Sequence, residues 1–265
     1  MTPAEDAWIA GDAYEPFIGR WSRLVAREFL AWLAAPPNIC WLDIGCGTGA
    51  LTAAILADTA PALVCGVDAS PSYVAHARNV LSDRRAAFAA ADARWLPLRS
   101  ASADVIVSGL VLNFVPDAGL AVAELARVVR AGGTVAVYVW DYAGDMQMLR
   151  RFWDAAASQD DRARALDEGE RFPLCHPRAL EALFEAAGLR QVESRAIDVP
   201  THFRDFEDYW TPFLGGQGPA PGYVASLSES RRVQLRERLR SELPPGSDGS
   251  IELQARAWAV RGMRN

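Results

Sequence analysis

Apolar side chains recur along the chain in two alternating rhythms. Dense short runs, Ile39 to Ile44, Leu63 to Val67, Asp104 to Leu110 and Thr134 to Trp140, are bounded by Gly, Pro or Asp. They read as strands buried on both faces. Between them lie stretches with helical spacing: one from Gly49 to Ala57, and one from Ser70-Pro71 to about Ser82, with serine as N-cap and proline at the first helical position. A third opens at Pro116-Asp117, runs through Leu120, Val122, Leu125, Val128 and Val129, and is expected to stop at Gly132-Gly133. Ala86 to Ala91 supplies a weak, alanine-rich strand. This alternation predicts an α/β fold, a doubly wound, mostly parallel Rossmann-like sheet whose ligand site lies beyond the strands' C-terminal ends.

Both flanks depart from that rhythm. Trp21, Leu24, Val25, Phe29, Trp32 and Leu33 share one helical face, so residues 1–36 are expected to form an N-terminal helical cap on a core spanning 37–141. Beyond Asp141, a helix bearing Met146, Leu149, Phe152 and Trp153 leads into the charged stretch Gln159 to Arg171, read as an exposed segment or loop. A helix from Pro177, a sixth strand over Gln191 to Val199 and a final strand over Ile251 to Val260 follow. Residues 203–245 read as a helical insertion within a single domain covering 1–265. There Phe203, Phe206, Tyr209, Trp210 and Phe213 form either a core-facing stripe or, backed by the glycine-rich Gly215 to Gly222, a lid. Ser226, three residues before Glu229, suggests a capping box.

Composition narrows the function. No apolar run in the 265 residues approaches the roughly 20 needed to cross a bilayer, and the N-terminus opens with acids, so a cytoplasmic protein without a membrane span is expected. The net charge of −6 argues against nucleic acid as a partner. All 27 basic residues are arginine, which excludes any Schiff-base or general-base lysine. Cys40, Cys46, Cys65 and Cys175 contain no C-x-x-C pair and read as small core residues, so neither a disulfide framework nor a metal site is expected.

The chemistry gathers where the first strand ends, at Asp43-Ile44-Gly45-Cys46-Gly47-Thr48-Gly49. Glycines at alternate positions let the backbone turn and approach a ligand, and the following helix points free N–H groups at it. Asp68 closes the second strand about 20 residues beyond Gly49, the spacing at which an acid accepts hydrogen bonds from a ribose. Asp92 follows the third strand, and the turn Tyr14 to Ser22 displays Tyr14, Arg20 and Ser22, where the arginine suits a carboxylate.

These residues resemble the class I S-adenosylmethionine-dependent methyltransferases, particularly the small-molecule group related to quinone-biosynthesis C-methyltransferases. The motifs cover Tyr14 to about Trp140. The resemblance implies S-adenosylmethionine as cofactor, S-adenosylhomocysteine as its product, and a reversed seventh strand at Ile251 to Val260. It implies that the loop Gly45, Cys46, Gly47 and Gly49 cradles the cofactor, with Asp43 and Gly45 on its amino group. Asp68, with Ala69 and Ser70 behind it, would hold the ribose. Asp92 and Ala93 would read adenine, while Ser108, Gly109 and Leu110 would line the methionine side. Tyr14, Arg20 and Ser22 would close over the cofactor.

The sulfonium brings its own leaving group, so methyl transfer asks the protein mainly to align the reactants and exclude water. No catalytic residue is singled out: Asn113, Asp141, Tyr142 and His176 lie near strand ends or the helix after them, and His176 also suits a helix start. The partner expected is a small-molecule acceptor. The alternatives are an NAD(P)-dependent oxidoreductase, which would want G-x-G-x-x-G and a proton relay, and a non-catalytic protein that binds the same cofactor.

Overall fold

The computed structural model describes residues 19–215 and 218–265. Tyr14, expected over the cofactor, lies outside them. The strands are β1 (Cys40–Ile44), β2 (Leu63–Asp68), β3 (Ala86–Ala90), β4 (Ala103–Gly109), β5 (Val129–Trp140), β6 (Arg190–Phe203) and β7 (Ile251–Met263). They form a seven-stranded sheet in the order β3-β2-β1-β4-β5-β7-β6. The first five strands pair in parallel. β7 runs antiparallel to β5, from Thr134 opposite Met263 to Trp140 opposite Ala257. The chain steps outward from β1 to β3 and returns to β4 on the other side of β1. That reversal opens the crevice in which such sheets bind ligands.

The strands are buried as their unbroken apolar runs require: Trp41, Leu42, Ile106, Val107 and Val135 to Val139 are all inaccessible. One boundary differs from expectation. The helix Ala118–Val128 stops four residues early, and Val129 to Gly133 join β5. The Gly132 N–H donates to the Arg264 carbonyl at 2.7 Å and the Arg264 N–H to the Gly133 carbonyl at 3.0 Å. Pairing with the end of the chain thus overrides a local glycine stop signal.

Contacts divide the described residues into two compact units, one of 19–22, 141–173 and 198–256 and the other of 23–140, 174–197 and 257–265. The first has an aromatic core. Phe152 stacks on Phe213 with centroids 4.4 Å apart, and the Tyr209 hydroxyl donates to the Met148 carbonyl at 3.0 Å. Phe203, Phe206, Tyr209, Trp210 and Phe213 are all buried, which makes the series a core stripe. The stretch 159–171 is not a loop: it forms a 3-10 turn, Asp161–Leu166, and a short helix, Glu168–Arg171, with Ala163 and Glu168 buried. Its charges find partners inside the unit, Arg150 with Asp167 at 2.5 Å and the Trp153 indole with Glu168. The helix Glu229–Glu242 is capped by Ser228, whereas the Ser226 hydroxyl donates back to the Tyr223 carbonyl, so the expected capping box does not form. Among the described residues, no helix is long and apolar enough to cross a membrane.

Candidate active site

The second unit brings together the C-terminal ends of β1, β2, β3 and β4 with the loops that follow them. Asp43 is central, its neighbours in register being Gly66 of β2 and Val107 of β4. It is 1% exposed, and its Oδ2 accepts from the Thr52 hydroxyl at 2.7 Å. Its Oδ1 is buried with no hydrogen-bond partner. Burial pushes the Asp43 carboxyl up to about 7; the Thr52 hydroxyl opposes the rise and the Asp68 carboxylate adds to it.

The glycine loop turns through left-handed backbone at Gly45 (φ 71°), Gly47 (φ 53°) and Gly49 (φ 93°). The Gly45 and Cys46 N–H groups both donate to the Val67 carbonyl, at 2.7 and 3.0 Å. A Cβ on Gly45 would lie 2.5 Å from Val111, and one on Gly49 would lie 2.7 Å from Leu81. A Cβ on Gly47 would meet nothing within 4 Å. Gly45 and Gly49 are therefore glycine for packing, whereas Gly47 faces open space and leaves the backbone bare. Cys46 packs with Val74, Ala77 and Phe88, and burial raises its thiol, so its side chain belongs to the core.

Asp68 anchors the loop it follows. Its Oδ2 accepts from the Gly47 N–H at 2.9 Å and its Oδ1 from the Ser70 N–H at 2.8 Å. Two of the roughly four acceptor positions of a carboxylate are used in this way, and the others stay free for hydroxyl donors. Ser70 caps the helix Pro71–Val80, and Ala69 lies between the two. The Asp92 carboxylate is held by its own near neighbour: Arg94 donates from Nε at 3.0 Å and from Nη2 at 2.6 Å, which keeps the acid below the usual carboxylate range. Ala93 sits between the partners of this pair.

On β4, Ser108 is buried and Gly109 lies against Tyr138, whose hydroxyl would be 2.5 Å from any Cβ there. Leu110 leaves the strand with φ 62°, its N–H donating to the Tyr138 carbonyl at 2.8 Å. This bend turns the chain into the 3-10 turn Leu112–Phe114, where Asn113 Nδ2 is buried without a partner. His176 caps the helix Pro177–Ala186, its Nδ1 accepting from the Arg178 N–H at 3.3 Å. That is the helix-start role.

The remaining candidates belong to the other unit. Arg20 donates to both oxygens of Asp208, at 3.2 and 3.3 Å, and lies over Trp21 and Phe203. The Ser22 hydroxyl donates to the Gly19 carbonyl at 2.7 Å. Asp141 accepts from the Asp145 N–H at 3.0 Å, and Tyr142 packs on Phe172. Thr52 and Tyr138 went unnoticed in the sequence. Thr52 had left a signal, a single polar residue in the otherwise apolar run Ala50 to Ala57, which is a place where a buried hydroxyl needs a partner.

Residues 42–137 match the family described as a methyltransferase domain. Among curated proteins, the chain is 30% identical over 207 residues to a 2-methyl-6-phytyl-1,4-hydroquinone methyltransferase from Synechocystis, an alignment covering 76% of this chain and 64% of that one. It thus spans less than two thirds of that relative's length. It is 29% identical to a malonyl-[acyl-carrier protein] O-methyltransferase from Herminiimonas arsenicoxydans, over 92% of this chain and 88% of the other. Among solved structures, the YcgJ protein of Bacillus subtilis superposes with a TM-score of 0.60 at 17% identity, covering 91% of this chain and 98% of that one.

Proposed function

We propose that the chain belongs to the class I S-adenosylmethionine-dependent methyltransferases and that it transfers a methyl group from S-adenosylmethionine to a small-molecule acceptor. The observation that carries the reading is the pairing of an open backbone at Gly47 with a buried carboxylate oxygen, Asp43 Oδ1, that has no partner in the protein. A cofactor with a cationic amino group to donate and a nucleoside to lie along the bare backbone fits that pairing. Bound there, S-adenosylmethionine would supply an electrophilic methyl on a good leaving group.

The residues of this chain then bind and orient. Asp43 receives the ammonium, and Asp68 accepts from the ribose hydroxyls with the oxygen positions that Gly47 and Ser70 leave free. Asp92 and the Ala93 N–H face adenine, Arg94 fixing the carboxylate's direction. Ser108, Gly109 and Leu110 border the methionine end, and the bend at Leu110 carries Asn113 toward the acceptor's side. Cradling glycines and fixed carboxylates suit a reaction limited by alignment and water exclusion.

Calorimetric titration with S-adenosylhomocysteine and with NADH tests this reading. Binding of the first without the second is expected; tight NADH binding alone refutes it. Asp68→Ala should weaken S-adenosylhomocysteine at least tenfold while the far-ultraviolet circular dichroism stays unchanged, and unaltered affinity would remove Asp68 from the ribose.

A further inference from the structure

Thr52 lies in the first turn of the helix Ala50–Asp58 and is fully buried. A helical threonine ordinarily satisfies its hydroxyl on a carbonyl of the preceding turn. Here the hydroxyl leaves its own helix and donates to Asp43 Oδ2, nine residues back at the end of β1. With Oδ2 fixed, the carboxylate cannot rotate freely, and Oδ1 is left without a partner in the protein. A buried oxygen left in this state is costly unless a donor arrives. The one charged group acting on Asp43 is another acid, Asp68 of β2. No cation among the described residues contributes to holding Asp43, so the missing partner is one that a ligand brings.

We propose that Thr52 is a positioning residue, whose hydroxyl aims Asp43 Oδ1 at the ammonium of the methyl donor's amino-acid end. This rests on the cofactor reading above. The pH behaviour follows from the same geometry. Around neutrality the free protein holds a proton on Asp43 in part of its molecules, and a bound ammonium displaces it. Removing the Thr52 hydroxyl takes away a hydrogen bond that favours the carboxylate, so the acid keeps its proton to higher pH and the ammonium binds well only there.

The test compares S-adenosylhomocysteine with 5′-methylthioadenosine, which has the nucleoside but no amino acid, on wild type, Thr52→Val and Thr52→Ser between pH 6 and 8.5. At pH 7, Thr52→Val should weaken S-adenosylhomocysteine roughly 10- to 100-fold, as expected for losing a hydrogen bond to a charged group, and part of this should return at pH 8.5. Methylthioadenosine affinity should not change, and Thr52→Ser should restore wild-type behaviour. On wild type alone, titration in buffers of different ionisation enthalpy should show proton release with S-adenosylhomocysteine near pH 7 and none with methylthioadenosine. This holds the proposal to account even where the valine variant folds poorly. Equal losses for both ligands, no loss for either, or no proton release would overturn it. If wild type binds neither ligand, the cofactor reading falls and this proposal falls with it, an outcome distinct from the rest.

Discussion

Glu168 gives a sharp test of how the first unit holds its charged segment. The residue is 4% exposed in the short helix Glu168–Arg171, and its Oε2 accepts from the Trp153 indole. Burial lifts its carboxyl from 4.5 to about 7; its own backbone N–H and the Trp153 indole oppose the rise, and Asp167 adds to it. The folded state therefore prefers the neutral acid. Because the folded value lies above the unfolded one, the stability this group contributes is fully present below pH 4.5 and is lost as the pH rises to about 7. At 1.36 kcal/mol per unit, the loss amounts to about 3 kcal/mol. Glu168→Gln keeps the shape and an acceptor for the indole but carries no titrating proton. Urea unfolding followed by tryptophan fluorescence at pH 4 to 8 should show the variant gaining about 3 kcal/mol over wild type across that range, most of it between pH 5 and 7. A difference that stays constant with pH would mean that Glu168 is not held neutral by its burial and that the account of this segment is wrong.

The remaining predictions concern glycines and the aromatic stripe. Gly45→Ala places a Cβ 2.5 Å from Val111 at φ 71° and should cost about 2 kcal/mol in thermal or urea unfolding, together with loss of S-adenosylhomocysteine binding in calorimetry. Gly47→Ala has φ 53° but open space around the new methyl, so it should cost about 1 kcal/mol while still removing ligand affinity, because the methyl enters the cradle. Retained affinity in Gly47→Ala would show that the backbone there is not approached by a ligand. Phe213→Ala removes a fully buried ring stacked on Phe152 and should destabilise the protein by about 3–5 kcal/mol in urea; a loss under 1 kcal/mol would rule out a core role for the stripe.

What the sequence revealed, and what it hid, follows from the range of the forces involved. Asp43, Gly47, Asp68 and Asp92, the residues of the proposed site, were readable together because a parallel sheet sets the ends of its strands and the loops after them along one edge. Ser70 and His176 were legible as helix starts because a cap is satisfied within three residues. The readings failed where the deciding partner is distant in sequence. Gly132 and Gly133 punctuate a helix by local rules, yet Arg264 draws them into β5. The segment 159–171 looks solvated by composition, yet Arg150 and Trp153 bury its Asp167 and Glu168. What Arg20 meets could not be read from its own turn either, since Asp208, 188 positions away, engages it. Thr52 lies between these cases. Its partner is only nine residues back, and the lone polar position in Ala50 to Ala57 announces a buried hydroxyl without saying that it reaches the preceding strand. The chain's local punctuation therefore marks the strand ends from which the proposed site is built, and long-range pairing decides which of the nearby charges are already engaged. Asp43 keeps one oxygen free, although Thr52 holds the other.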